Sequence, residues 1–167
     1  ALAMHEKNHP DTKHVLEDVW RADLKKLVGR RRVGLLWASP DCRHFSRAKG
    51  GKPVSKSVRS LAWIVTKWAS QVKPKVIMLE NVREFADWGP LVPKWHCREC
   101  SWTGTEGQAT LIRVRRRCPR CESLRLAIVK VTDKKTGEIF DACIPDPARK
   151  GLTFRRWLGR LRNLGYA

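Results

Sequence analysis

Apolar positions along the chain fall into short runs separated by polar, basic stretches. Residues 33–38 form a near-continuous apolar run, which predicts a strand covered on both faces. Val58, Leu61, Val65, Trp68 and Val72 then recur at spacings of three and four, one apolar face of a helix. Ser57 is placed to cap that helix, and Lys73-Pro74 to end it. Residues 76–79 are a second short run. Strand, loop, helix, strand is a βαβ unit, and the handedness rule makes its strands parallel.

The flanks are shorter elements. Residues 1–8 read as a helix tail closed by His9-Pro10, and residues 24–27 as a short helix stopped at Gly29. Trp88-Gly89-Pro90 and Pro93 predict a loop. Residues 124–131 and 138–144 are strand-like, joined by the turn signal of residues 133–137. Residues 145–151 read as a polar linker. Phe154, Trp157, Leu158, Leu161 and Leu164 predict a final amphipathic helix with Gly165 just past its end.

This pattern brings two distant residues to one edge. In open α/β sheets chemistry gathers beyond the carboxyl ends of the strands. Cys42 follows the first strand across a Ser-Pro turn, and Glu80 ends the second. A thiol and a carboxyl group there can act as nucleophile and acid. Arg43, His44 and Arg47 beside Cys42 favour its thiolate. The segment 43–56 holds five Lys or Arg and little apolar content, so a mobile surface loop is expected. Cys143 lies in an apolar run and reads as a core residue.

Composition narrows the partner. The chain has 167 residues, 42% of them apolar, enough for one ordinary domain with a core. No apolar run approaches the ~20 residues of a membrane span. Thirty-five Lys plus Arg against sixteen Asp plus Glu give a formal charge of +19, which points to a polyanion, most simply nucleic acid. Four of the six cysteines, Cys97, Cys100, Cys118 and Cys121, form a C-x2-C-x17-C-x2-C pattern. Two such pairs can complete an all-sulfur tetrahedral shell around a structural zinc. Disulfides or an iron–sulfur centre are the alternatives. Arg113, Arg115, Arg116, Arg117 and Arg120 crowd the same segment, either as a solvated face or as a DNA contact.

Pro40-Asp41-Cys42-Arg43-His44-Phe45-Ser46 followed by a basic Gly loop, and then Lys73-Pro74-Lys75-Val76-Ile77-Met78-Leu79-Glu80-Asn81-Val82, resemble the DNA cytosine-5 methyltransferases. The stretch Asn8-His9-Pro10-Asp11-Thr12 with Asp18-Val19, and residues 151–166, agree with that family's flanking segments. Trp88-Gly89-Pro90-Leu91 resembles its phage and prophage branch. The resemblance implies an α/β fold, a partial Rossmann-like S-adenosylmethionine-dependent sheet carrying a small four-cysteine zinc-ribbon insertion. The core would span residues 1–93 and 145–167, and the insertion 94–144.

The resemblance further implies that Cys42 adds to a flipped cytosine, that Glu80 holds the base edge and assists protonation, and that Asn81 fixes the geometry. Asp18, Pro40, Asp41 and Leu61 would bind S-adenosylmethionine. Arg43, Ser46, Arg47, Lys49 and Lys52, with Arg115, Arg116 and Arg117, would meet double-stranded DNA. A monomer in the cytoplasm of a bacterium or phage-infected host, acting in DNA methylation or restriction-modification, is expected.

There are departures. Asp41 stands where the family has Pro, which should raise the thiol pKa, and Arg43 replaces Gln, which offsets it. The family's Gly-rich cofactor loop would precede Ala1, and no glycine occurs before Gly29. Its Gln-x-Arg segment and target-recognition region would follow Ala167. Both ends therefore read as cut from something longer, and the 167 residues alone are expected to be inactive. A non-catalytic basic zinc-ribbon module that grips nucleic acid, and an RNA cytosine methyltransferase, are the competing readings.

Overall fold

The computed structural model describes residues 2–42, 45, 60–133 and 137–166. Two helices come first, α1 (Leu2–Asn8) and α2 (Leu24–Val28). The Asp23 carboxylate accepts the Lys26 N–H and starts α2, and Gly29 at φ 61° ends it. Then β1 (Leu35–Ala38), α3 (Trp63–Val72) and β2 (Val76–Leu79) form the βαβ unit. β1 and β2 are parallel, Leu35 opposite Val76 and Ala38 opposite Leu79. The ladder runs on at both ends, with Lys75 N donating to Val33 O and Glu80 N to Ala38 O. Lys73 turns into the left-handed region at φ 43°, and Pro74 forbids another helical turn.

The expected helix stripe is present from Val65 onward. Val65 is fully buried, Trp68 and Val72 are half-buried, and Leu61 lies in the turn just before α3. The expected cap Ser57, and Val58, lie outside the described residues. The last helix, α4 (Leu152–Asn163), buries Trp157 and Leu161 against Ile64, Val65, Ala69, Phe85 and Trp88. Trp157 Nε1 donates to Ala62 O at 2.9 Å, so this buried indole is satisfied. Gly165 follows at φ 93°, and Tyr166 Oη donates to Pro74 O.

Only one face of the β1–β2 pair is covered. Leu36, Ala38, Ile77 and Leu79 pack on the core, whereas Leu35, Trp37, Val76 and Met78 remain 46–57% exposed. The uniform apolar run predicted burial on both faces, and the second face lacks a layer among the described residues.

After a 3-10 turn (Arg83–Asp87) come nine short strands: β3 (Leu91–Pro93), β4 (Trp95–Cys97), β5 (Thr103–Gly104), β6 (Thr110–Ile112), β7 (Arg115–Arg117), β8 (Leu126–Ile128), β9 (Lys130–Thr132), β10 (Ile139–Asp141) and β11 (Cys143–Pro145). β4 is central between β5 and β8, while β6–β7 and β9–β10 are hairpins. At the end of the second, Asp133 N donates to Glu138 O and Gly137 N to Asp133 O, while residues 134–136 of the expected turn lie outside the described residues.

Two expectations fail here, and a third gains detail. Pro93, expected in a loop, ends β3 and lies opposite Cys143 of the antiparallel strand β11. Cys143 is half-buried, and its neighbour Ala142 takes the buried place, because alternate residues of a strand face opposite sides. The 145–151 segment is a 3-10 turn (Pro147–Arg149) capped by Asp146, whose carboxyl is held below its usual range by the Arg149 guanidinium.

Candidate active site and metal centre

β1 and β2 deliver their carboxyl ends to one edge, and side chains join the two loops there. Ser39 Oγ donates to Glu80 Oε2 at 3.1 Å. Asn81 Nδ2 donates to Pro40 O at 3.1 Å, and Asn81 Oδ1 accepts Val82 N–H at 2.9 Å. Asn81 Nδ2 thus binds the Cys42 loop to the Glu80 loop, while its Oδ1 fixes the amide on its own loop. Cys42 is half-buried and unbridged. Its carbonyl accepts the Phe45 N–H at 2.9 Å, closing one turn. The Phe45 ring then meets Phe85 and Trp88 edge-on at 5.1 and 5.7 Å. Such pairs add about 0.5–1.5 kcal/mol each beyond burial. Phe45 therefore anchors the cysteine turn to the core.

Three of the four residues expected at the cofactor share a cavity. Pro40, Asp41 and Leu61 line a space of about 300 Å³ together with Val19, Trp37 and Trp68. That volume is at the lower end of small-molecule sites. The Trp68 indole N–H is buried without a partner among the described residues. Asp18 is not in the lining. Its carboxylate accepts the Trp20 N–H at 2.8 Å, and its neighbour Val19 is the residue that enters. Lys67 Nζ holds this segment against α3 by donating to Trp20 O, with its charge 5.7 Å from the Trp20 ring.

The four cysteines of the C-x2-C pairs converge. Their sulfurs all lie within 4.8 Å of one another, and Cys97–Cys121 and Cys100–Cys118 are each 3.6 Å apart. Tetrahedral zinc with ~2.3 Å bonds to sulfur would set the sulfurs roughly 3.8 Å apart. Backbone N–H groups of Glu99 and Arg120 point at Cys97 and Cys118 Sγ, each at 3.4 Å, as supports for thiolate ligands. Burial alone would raise the Cys118 thiol, but the Arg120 and Cys121 N–H groups and the neighbouring thiols outweigh it and bring its pKa to about 7. The Ser123 N–H lowers Cys121, yet burial and the three other sulfurs push it up to about 12. Cys100 is also raised. Four sulfurs so close cannot all ionise without a cation, and the set fits a four-thiolate metal.

Of the expected DNA contacts, Arg115 is exposed, Arg116 pairs with Glu106 at 3.0 Å, and Arg117 is half-buried with Nη1 donating to Glu122 O. Arg43, Ser46, Arg47, Lys49 and Lys52 lie outside the described residues, as does most of the expected loop. Sequence reasoning missed Ser39, Phe45 as an anchor, and the two tryptophans of the cavity. Only the Ser-Pro turn hinted at the first of these.

A family model described as C-5 cytosine-specific DNA methylase matches residues 1–88, which include Cys42, Glu80 and Asn81 but not the four-cysteine segment. No curated protein and no solved structure matches the chain. The chain has a mixed α/β architecture with small sheets, a four-cysteine cluster, and no described helix long and apolar enough to cross a membrane. With more than half its length covered by that one match, it belongs to the C-5 cytosine-specific DNA methylase family.

Proposed function

We propose that this chain carries the methyl-transfer centre of a DNA (cytosine-5) methyltransferase, with Cys42 as nucleophile and Glu80 as the acid. The observation that carries the reading is the pair of bonds, Ser39 to Glu80 and Asn81 to Pro40, that fastens the two motif loops at one sheet edge. A cytosine flipped from double-stranded DNA meets both groups there. The Cys42 thiolate adds to ring carbon 6, forming the S–C bond, while Glu80 delivers a proton to N3 and takes up the charge. Carbon 5 thereby becomes nucleophilic. S-adenosylmethionine supplies the methyl group when bound. Glu80 takes back the N3 proton, a base removes the carbon-5 proton, and the electrons of that C–H bond expel the Cys42 thiolate and restore the ring. Ser39 holds the Glu80 carboxyl and Asn81 holds the turn that presents Cys42.

Pro40, Asp41 and Leu61 line the cavity assigned to the cofactor, and Asp18, the sequence neighbour of Val19, completes the cofactor contacts. Arg43, Ser46, Arg47, Lys49 and Lys52 contact the DNA. The β1–β2 sheet is the partial Rossmann-like layer of such an enzyme, whose catalytic core spans residues 1–93 and 145–167. Residues 94–144 are an inserted zinc ribbon, held by Cys97, Cys100, Cys118 and Cys121, that stabilises its own small sheets and faces DNA. The protein acts as a monomer of the phage branch.

The test is methyl transfer to DNA by this chain and by a version extended at both ends. The extended form transfers methyl groups and the 167-residue chain does not; turnover by the short chain overturns that part. Cys42→Ala in the extended form abolishes transfer, and retained activity removes the nucleophile. A non-catalytic binding module is favoured only by the arginine-rich four-cysteine segment, and it leaves the two fastening bonds without purpose. Faster transfer to RNA than to DNA would move the reading to RNA.

A further inference from the structure

The β6–β7 hairpin is not used by the chemistry above. Its register places Thr110 opposite Arg117, Leu111 opposite Arg116 and Ile112 opposite Arg115, so Arg113 and Val114 make the turn. Arg113 has φ 55°, a conformation uncommon for a side chain of this size. Val114 is 90% exposed, Leu111 60% and Ile112 44%. Three large aliphatic residues at the end of so small a ribbon bury little, so folding does not explain them. Arg116 is engaged by Glu106 and Arg117 by Glu122 O, but Arg113 and Arg115 are exposed and their guanidinium groups make no hydrogen bond or ion pair among the described residues. The base of the hairpin is fixed. Arg117 runs straight into Cys118, whose N–H is bonded to Ser123 O and whose sulfur sits in the four-thiol cluster.

We propose that this hairpin inserts its tip into the major groove of duplex DNA, with Arg113 and Arg115 on phosphates and Val114 and Ile112 against base edges. The major groove admits a two-stranded ribbon, and thymine methyl groups offer apolar contact there. The two unengaged guanidinium groups and the +19 chain supply the charge complement. This rests on the reading that the four-cysteine ribbon faces DNA, and it is independent of the chemistry at Cys42.

The experiment uses the zinc-loaded chain and a 20-base-pair duplex, with binding followed by fluorescence anisotropy across a salt series. The double variant Arg113→Gln/Arg115→Gln binds at least tenfold more weakly at moderate salt, and the slope of log affinity against log salt falls by about two, one for each lost phosphate. Val114→Asp also weakens binding about tenfold. Bound parent protein shields guanine N7, a major-groove atom, from dimethyl sulfate. Zinc content reports folding of each variant, and Arg113→Lys/Arg115→Lys restores the salt slope. Parent-like affinity and slope in the glutamine variant overturn the proposal, as does protection confined to adenine N3 in the minor groove. Tighter binding of duplex RNA than of DNA also overturns it. A hairpin effect without methyl transfer sinks only the catalytic reading, and methyl transfer without a hairpin effect sinks only this one.

Discussion

At the residue scale the account turns on who holds Glu80. A hydrogen bond to a charged group contributes about 1.5–3 kcal/mol. Ser39→Ala in the extended enzyme is therefore expected to lower kcat tenfold or more, with KM for DNA little changed, and Ser39→Thr to recover most of it. Steady-state methylation kinetics check this, and an unchanged kcat would make the Ser39–Glu80 bond incidental. The metal ligands give a pH prediction. With the Cys121 thiol pushed up to about 12 and Cys100 also raised, the metal-free cluster still holds protons at neutral pH. Zinc must displace those protons, so its binding releases acid and its affinity rises with pH. A pH indicator in weakly buffered solution and a zinc competition series measure both; affinity that is flat from pH 6 to 8 would count against four thiolate ligands. That the loops carrying Cys42, Glu80 and Asn81 meet at one sheet edge was legible from the chain, because the apolar runs 33–38 and 76–79 precede them. Ser39 was not, since nothing in a linear pattern says which hydroxyl of a turn reaches a carboxylate 41 positions away.

At the element scale the helices and the parallel pair follow from local rules. β2 is found at Val76–Leu79 as the apolar run required, and α4 ends before Gly165. The small strands of the second half were harder. Pro93 and Pro145 look like breakers, yet β3 and β11 are three-residue strands in a two-stranded pair, where a proline costs little on the unpaired side. The covering of β1 was misjudged because an apolar run tells what a strand can bury, not what is present to bury it. Packing of α4 on α3 yields a stability prediction. Trp157 is 3% exposed and its N–H is satisfied by Ala62 O, so Trp157→Ala should cost about 3–5 kcal/mol. Gly89→Ala should cost roughly 1–3 kcal/mol, because a Cβ there would collide with the Arg149 carbonyl oxygen. Thermal unfolding should fall by several degrees in each; parent-like melting of Trp157→Ala would contradict the assigned core.

At the scale of the whole molecule, charge and apolar surface dominate. Leu35, Trp37, Val76 and Met78 form one open apolar face on the β1–β2 pair. That face should bind an environment-sensitive hydrophobic dye, and Trp37→Lys should reduce the signal without lowering the melting temperature. The +19 charge should make DNA binding weaken steeply with salt. Neither property identifies a reaction, and so the central claim rests on the shared edge of β1 and β2. It is tested most directly by incubating the extended enzyme with S-adenosylmethionine and duplex DNA containing 5-fluorocytosine, then mapping any protein–DNA link by mass spectrometry. The fluorine blocks the last elimination, so the account predicts a stable adduct on the peptide containing Cys42, absent in Cys42→Ala. DNA methylation by the same enzyme with no adduct at Cys42, or an adduct on any other residue, would contradict it.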